Sequence, residues 1–396
     1  MKPKSPPSIP GRLWGRSASC SKDDNREVNM LKQTDAEASG QIQEYYRGKT
    51  VLITGGFGFV GSHVVKRLVD YGAQVTVLDL RTDSERPSLI NDRVHKLREK
   101  VRIETGDVGN AEFLRSFLSA EQFRLIFHFA AFATVIERAV EQPYDTIQAN
   151  TMGLVNVLEA ARQAQVPPDM ILFSSTDKVY GELDGEHYEE DSTPLRGVGV
   201  YDAAKLAADV FSKTYYTVFG VPVVVLRMCN LFGPHDYNID FRLVPKAMKS
   251  IFAREKPAAP ELYFDAIHHF RDYLYIEDAV RAALLLGYFP RCRGEVYNLL
   301  GCQYISTPDM LSQVIEIATK VERHYDDKRA ELIRQNGFTV KVKSPGSRLM
   351  PIKKQHLNGA KLTKATGFEP SIEFTEGLAK TVRFYREYFE SCRKET

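Results

Sequence analysis

Two short runs in this chain carry residue types that together can do chemistry at carbon. The first is Tyr201-Asp-Ala-Ala-Lys205. A four-residue spacing puts both side chains on one face of a helix. An ammonium beside a phenol stabilises the phenolate and lowers a pKa that is otherwise about 10. Such a pair can take a hydroxyl proton while hydride leaves the same carbon for a nicotinamide. The second run is Ser174-Ser175-Thr176-Asp177-Lys178-Val179-Tyr180-Gly181. Here Thr176 can hydrogen-bond a substrate hydroxyl, while Asp177 and Lys178 set an acid and a base on adjacent residues. Out of context, the same residues describe an ordinary helix surface and a solvated turn, so their surroundings decide.

The surroundings include a glycine-rich turn, Gly55-Gly56-Phe57-Gly58-Phe59-Val60-Gly61, between a β-rich run and a helical one. Gly55, Gly58 and Gly61 allow a tight turn, close approach of backbone to a pyrophosphate, and close packing of helix on strand. The helix that opens at Phe59 and Val60 then aims its N-terminus at the phosphates. A second β-rich run ends at Asp79, whose carboxylate can bind the adenosine ribose hydroxyls. An acid there repels a 2′-phosphate and favours NAD, with Arg81 two positions on as the argument for NADP. Asp107 and Val108 follow a third run, and Ala130 and Ala131 a fourth, where the rest of the dinucleotide falls.

Positioning these groups requires a sheet. Thr50–Ile53, Gln74–Leu78, Val101–Glu104, Leu125–Phe129, Met170–Ser174 and Val223–Arg227 are nearly continuous apolar runs, as strands buried on both faces require. Helical patterns at Val60–Tyr71, Ala111–Leu118, Leu154–Ala164 and Ala203–Phe219 alternate with them. The fold class is therefore α/β, a doubly wound parallel Rossmann sheet. Both chemical runs then fall at the C-terminal edge of the fifth strand or on the helix after it, where ligands collect in open α/β sheets. After Gly233 the alternation loosens into a strand near Tyr273–Ile276, a helix at Asp278–Leu286, a strand at Glu295–Leu299 and helices at Pro308–Lys320 and Thr375–Phe389. The expected division is a disordered basic tail over 1–46, an NAD-binding domain over 47–232 with segments added from about 270–300, and a smaller α/β lobe, mainly substrate-binding, over 233–396.

Composition removes other classes. The 396 residues carry a net charge of +2 and are 43% hydrophobic and 26% charged, with no clustered basic excess for nucleic acid. No run reaches the roughly 18 apolar residues of a membrane span. The partner is expected to be a small molecule or a second copy of the chain. The five cysteines are scattered and lack zinc or disulfide spacing, which fits a reducing, cytoplasmic setting. Met1–Lys22 is basic and rich in Pro and Ser, without the apolar core of a secretory signal; it reads as a solvated tail, with an organellar transit peptide as the alternative. His268 and His269 are too isolated for a metal site, and none is expected.

The runs TGGFGFVGSH, FSSTDKVYG, YDAAK, RMCNLFGP and RDYLYIEDAV, in that order, resemble the extended short-chain dehydrogenase/reductase family. Within it they look like the nucleoside-diphosphate-sugar 4,6-dehydratases, over roughly residues 49–390. Thr176-Asp177-Lys178 discriminates, since sugar epimerases usually lack that acid–base couple. The resemblance implies tightly held NAD and a three-stage cycle. Tyr201, its pKa lowered by Lys205, takes the sugar 4-hydroxyl proton as C4 is oxidised, with Thr176 orienting the hydroxyl. Lys178 removes the C5 proton while Asp177 protonates the departing 6-hydroxyl, and C6 is then reduced. It further implies a nucleoside-diphosphate hexose as substrate, bound by Asn230, Arg271 and Arg348, and a homodimer joined through Leu154–Ala164 and Ala203–Phe219.

Two departures from the family pattern bear on the substrate. Phe132-Ala133-Thr134-Val135 stands where a Gln or Glu and a polar stretch are common, and Ala266–Phe270 lacks a usual glycine. The competing readings are a 4-epimerase or decarboxylase that uses Tyr201 and Lys205 without the elimination, and a non-catalytic protein that senses NAD.

Overall fold

The computed structural model describes residues 35–132, 136–342 and 352–395. It starts with helix α1 (Asp35–Tyr46) and strand β1 (Thr50–Thr54), followed by α2 (Phe59–Asp70), β2 (Gln74–Asp79), β3 (Arg102–Thr105), α3 (Ala111–Ala120) and β4 (Leu125–His128). Next come α4 (Ile136–Glu141), α5 (Pro143–Ile147), α6 (Gly153–Gln163), β5 (Met170–Thr176), α7 (Val200–Phe219) and β6 (Val223–Met228). The second half runs β7 (Asn230–Phe232), α8 (Leu243–Phe252), β8 (Glu261–Tyr263), β9 (Phe270–Tyr275), α9 (Ile276–Tyr288), β10 (Val296–Leu299) and β11 (Gln303–Ser306). It closes with α10 (Thr307–Arg323), α11 (Asp327–Asn336), β12 (Thr339–Lys341), β13 (Lys354–Gln355), α12 (Ala360–Thr366) and α13 (Phe374–Glu395).

Seven parallel strands form the main sheet in the order β10-β6-β5-β4-β1-β2-β3. Alternation of side chains explains the apolar runs: Val51 and Ile53 enter one core with Val64 and Leu68 of α2 and Ala283 of α9, while Leu52 enters the other with Leu114 of α3 and Leu154 of α6. Full burial of each such side chain contributes about 1.5–3 kcal/mol. The Glu295–Leu299 run supplies β10, so the chain returns to the first sheet after visiting the second. That second sheet has the order β11-β9-β13, with β7 also paired to β9.

Strand order reverses at β1, which lies between β2 and β4. Register keeps the strand ends level: Thr54 pairs with His128, and Thr176 with Met228. The turns after β1, β4, β5 and β6 therefore open along one edge, the crevice expected at a topological switch point.

The expectation of disorder through residue 46 is corrected by α1. Tyr46 is fully buried and its hydroxyl donates to the Leu284 carbonyl at 2.7 Å, while Tyr45 donates to the Gly287 carbonyl at 3.2 Å. Ile42 and Tyr46 pack into the first core, so an aromatic pair after a polar stretch ties this helix to α9. Residues 1–34 lie outside the described residues. No helix among the described residues is long and apolar enough to cross a membrane.

Candidate active site

The turn after β1 is built as a cradle. Gly55 has φ +71°, and a Cβ there would lie 2.6 Å from the Ala130 nitrogen. A Cβ on Gly61 would lie 2.4 Å from the Gly55 carbonyl oxygen, so α2 meets the turn with no room for a side chain. This steric demand fits a dinucleotide pyrophosphate at the N-terminus of α2. Asp79 caps the turn rather than lining the cavity: its Oδ2 accepts from the Phe57 N–H at 3.0 Å, and its Oδ1 lies 3.3 Å from the Arg86 guanidinium.

The crevice above is a cavity of about 580 Å³. Of the residues singled out from sequence, Gly55, Gly58, Phe59, Val60, Gly61, Ala131, Thr176, Asp177, Lys178, Tyr201, Lys205 and Asn230 line it. Asp107 binds its own turn, accepting from the Gly109 N–H at 2.7 Å, and Val108 is packed in the second core. The Ala130 N–H donates to Thr54 Oγ1 at 3.3 Å. Arg271 does not line the cavity; its guanidinium donates to the carbonyls of Phe270, Ile352 and Lys353 and acts on Asp177 through its charge. Arg348 and the Ala133–Val135 stretch lie outside the described residues.

The Thr176–Asp177–Lys178 group is fixed from below. Thr176 ends β5, and its Oγ1 accepts the Lys178 N–H at 3.3 Å and donates to Asp177 Oδ1 at 3.1 Å. The turn continues to Tyr180, whose hydroxyl accepts from Arg227 Nη1 at 2.6 Å and donates to Asn298 Oδ1 at 2.8 Å. Arg227 Nε donates to Asp209 of α7 at 2.7 Å, in a buried ion pair. Strands β6 and β10 and helix α7 thus share one polar network under the turn. Breaking one partner of such a buried pair costs about 3–5 kcal/mol.

Burial sets the electrostatics. Asp177 is 3% exposed, its Oδ2 has no hydrogen-bond partner among the described residues, and burial raises its pKa to about 7 against the opposing pull of Lys178 and Arg271. Lys178 Nζ lies 5.5 Å from the Tyr201 ring centre. Lys205 is depressed to about 8 by burial, with Asp209 opposing, and its Nζ donates to the Ser174 carbonyl at 2.8 Å.

Tyr201 departs from the expectation. Its hydroxyl is not held low; burial raises it well above the ordinary tyrosine value, helped by the Asp202 and Asp177 carboxylates and opposed by Arg242. The ammonium expected to lower it is engaged by the Ser174 carbonyl and lies 4.7 Å from the Phe173 ring. Burial thus favours the neutral phenol.

Sequence reasoning missed several residues. Arg242 lines the cavity, paired with Asp236 at 3.0 Å and placed 5.5 Å over the Phe59 ring, so it spans the glycine turn and the second sheet. Arg138 also lines it. Asn150, fully buried in a π-turn between α5 and α6, accepts from the Phe132 N–H at 2.9 Å and donates to its carbonyl at 2.8 Å, clamping the loop after β4. None belongs to a recognisable motif: Arg242 reaches the glycine turn at Phe59 from the far half of the chain, and Arg138 and Asn150 both meet Phe132.

Sheet order, glycine cradle and Tyr201/Lys205 helix together define an extended short-chain dehydrogenase/reductase. The family model described as GDP-mannose 4,6 dehydratase matches residues 52–381, and the chain belongs to that family. It is 27% identical over 360 residues to the dTDP-D-glucose 4,6-dehydratase of Bos taurus, covering 90% of this chain and 94% of that one. It is equally 27% identical over 366 residues to UDP-glucuronate 4-epimerase 3 of Arabidopsis thaliana, covering 88% and 79%. Among solved structures, DesIV, a dTDP-glucose 4,6-dehydratase from Streptomyces venezuelae with NAD and TYD bound, matches with a TM-score of 0.69 and 26% identity, over 85% of this chain and 97% of that one.

Proposed function

We propose that the protein is an NAD-dependent 4,6-dehydratase of a nucleoside-diphosphate hexose of the glucose type, yielding the 4-keto-6-deoxy sugar nucleotide. The observation that carries this reading is Asp177: a carboxyl group buried at the cavity wall, one oxygen unpartnered, with a pKa raised to about 7. A group poised near neutrality can hold a proton and release it to a departing hydroxyl. A 4-epimerase has no elimination step and no use for such an acid beside Lys178.

Gly55, Gly58, Phe59, Val60, Gly61, Ala131 and Lys205 would hold the cofactor. Storage of hydride between C4 and C6 is the chemistry bound NAD⁺ supplies. Around it, Thr176 orients the 4-hydroxyl and Tyr201 takes its proton. A phenol raised by burial needs a positive charge to ionise, and Arg242 pulls the Tyr201 hydroxyl in that direction. Lys178 removes the proton at C5, made acidic by the adjacent ketone, and Asp177 protonates the 6-hydroxyl. Arg242 offers the diphosphate a guanidinium at the cavity wall, a role the sequence reading gave to Arg271 and Arg348.

Incubation with dTDP-, UDP-, CDP- and GDP-hexoses followed by mass spectrometry tests the reading. Loss of one water with the sugar retained supports it. A new epimer at unchanged mass would favour the epimerase reading, which the 27% identity to the Arabidopsis protein supports equally. Val210, Phe211, Val218 and Phe219 of α7 and Tyr144 and Ile147 of α5 are exposed apolar side chains, and we assign these faces to a second copy of the chain. Sedimentation as a monomer at micromolar concentration would rule that dimer out.

A further inference from the structure

Away from the cavity, three metal-ligating side chains converge from two parts of the chain. Asp92 and His95 lie in the segment between β2 and β3, and His235 follows β7. Each offers one ligand atom, and these atoms all lie within 4.8 Å of one another. Asp92 Oδ1 is 3.4 Å from His95 Nδ1, and Asp92 Oδ2 is 4.0 Å from His235 Nδ1. Two ligands on a tetrahedral ion at about 2.0–2.1 Å stand about 3.3–3.4 Å apart, so Asp92 Oδ1 and His95 Nδ1 are at ligand spacing, while His235, whose 4.0 Å approach is to the other carboxylate oxygen, must close on them.

Several features hold the cluster ready. Asp92 Oδ1 accepts from the Val94 N–H at 2.7 Å, which fixes the carboxylate and leaves Oδ2 facing His235. His95 Nδ1 is buried and, apart from the 3.4 Å approach of Asp92 Oδ1, has no hydrogen-bond partner among the described residues. His235 is 7% exposed, sits at φ +62°, and its ring lies against that of Phe384 of α13, tilted by 47° with centroids 4.2 Å apart. A non-glycine residue at positive φ is strained and persists only where its surroundings impose it. His235 Nδ1 is hydrogen-bonded to the Tyr237 hydroxyl at 3.1 Å, a contact that an ion at this nitrogen would replace.

We propose that Asp92, His95 and His235 form a divalent transition-metal site, with Zn²⁺ as its preferred ion and water completing the tetrahedron. Two imidazoles and one carboxylate suit Zn²⁺ and leave the complex with a single positive charge. None of the three ligands lines the cavity, so the ion stands outside the sugar chemistry. It fastens the segment below β2, which packs on the glycine turn through Ser88 and Phe57, to the start of the second lobe and to α13. His63, whose Nε2 bonds the Pro234 carbonyl at 3.0 Å, positions the loop that carries His235.

The test is calorimetric titration of the metal-stripped full chain with ZnCl₂, alongside the variants His95→Asn and Asp92→Asn. Both side chains are partly exposed, and near-ultraviolet circular dichroism confirms folding. Expected are one saturable Zn²⁺ per chain, a higher melting temperature with Zn²⁺, and binding weakened in either variant by more than the roughly 10–100-fold that follows loss of a hydrogen-bonded support for a ligand. Substituted Co²⁺ should give the intense visible bands of a tetrahedral centre. Absence of saturable Zn²⁺ binding in the wild-type chain would overturn the site, whatever the variants do. Unchanged affinity in both variants would overturn the ligand assignment.

Discussion

Lys205 Nζ donates to the main-chain carbonyl of Ser174 at 2.8 Å, tying the second turn of α7 to the end of β5. The ammonium is therefore engaged by backbone, and burial favours the neutral phenol of Tyr201 on the same helical face. Replacing Lys205 by Met should remove both the tie and the charge. Oxidation at C4, followed as NADH absorbance in a single turnover, is expected to fall by about 100-fold or more. Oxidation at wild-type rate in Lys205→Met would detach this lysine from the tyrosine's chemistry.

Lys178 and Asp177 are assigned to the elimination alone, so their loss should split the cycle. Lys178→Ala is expected to keep C4 oxidation while C5 exchange with deuterated water disappears. Normal exchange in that variant would remove Lys178 from the role of base.

Asp177 also leaves a signature in stability. Its folded pKa of about 7 exceeds the unfolded value, so the folded state holds this proton more tightly. Stability attached to the protonated group is complete below about pH 4 and is lost as pH rises to about 7. Asp177→Asn should thus be more stable than wild type above pH 7, by an amount on the order of 2–4 kcal/mol, with the difference shrinking towards pH 4. Denaturant melts at both pH values read this directly. A difference that is flat with pH would contradict the raised pKa.

The helix before β1 makes a separate prediction. Tyr46 is fully buried against α9, and truncating a buried aromatic to alanine costs about 3–5 kcal/mol. Tyr46→Ala should lose stability of that order in urea while keeping its turnover rate at low temperature. Unchanged stability would show that α1 contributes nothing to the core.

What could be read from the chain follows the range of the interactions. Strands β1, β2, β4, β5 and β6 declared themselves because burial on both faces demands unbroken apolar runs, whereas edge strand β3, with the sequence RIET, is only partly buried; the glycine turn and the Tyr201/Lys205 pair were legible because their geometry is set within a few residues. Asn150 and Arg242 act through contacts with Phe132 and Asp236 or Phe59, which no local pattern encodes. His95 and His235 are 140 positions apart, so spacing could not suggest a shared ion. The basic, Pro-rich composition of the first residues concealed Ile42, Tyr45 and Tyr46, whose partners lie on α9.

The most direct test of the central claim uses a nucleoside-diphosphate glucose carrying deuterium at C4. The account predicts a product lighter by one water, with the deuterium recovered at C6 of the same sugar. A product of unchanged mass, epimerised at C4 with the deuterium still there, would contradict it.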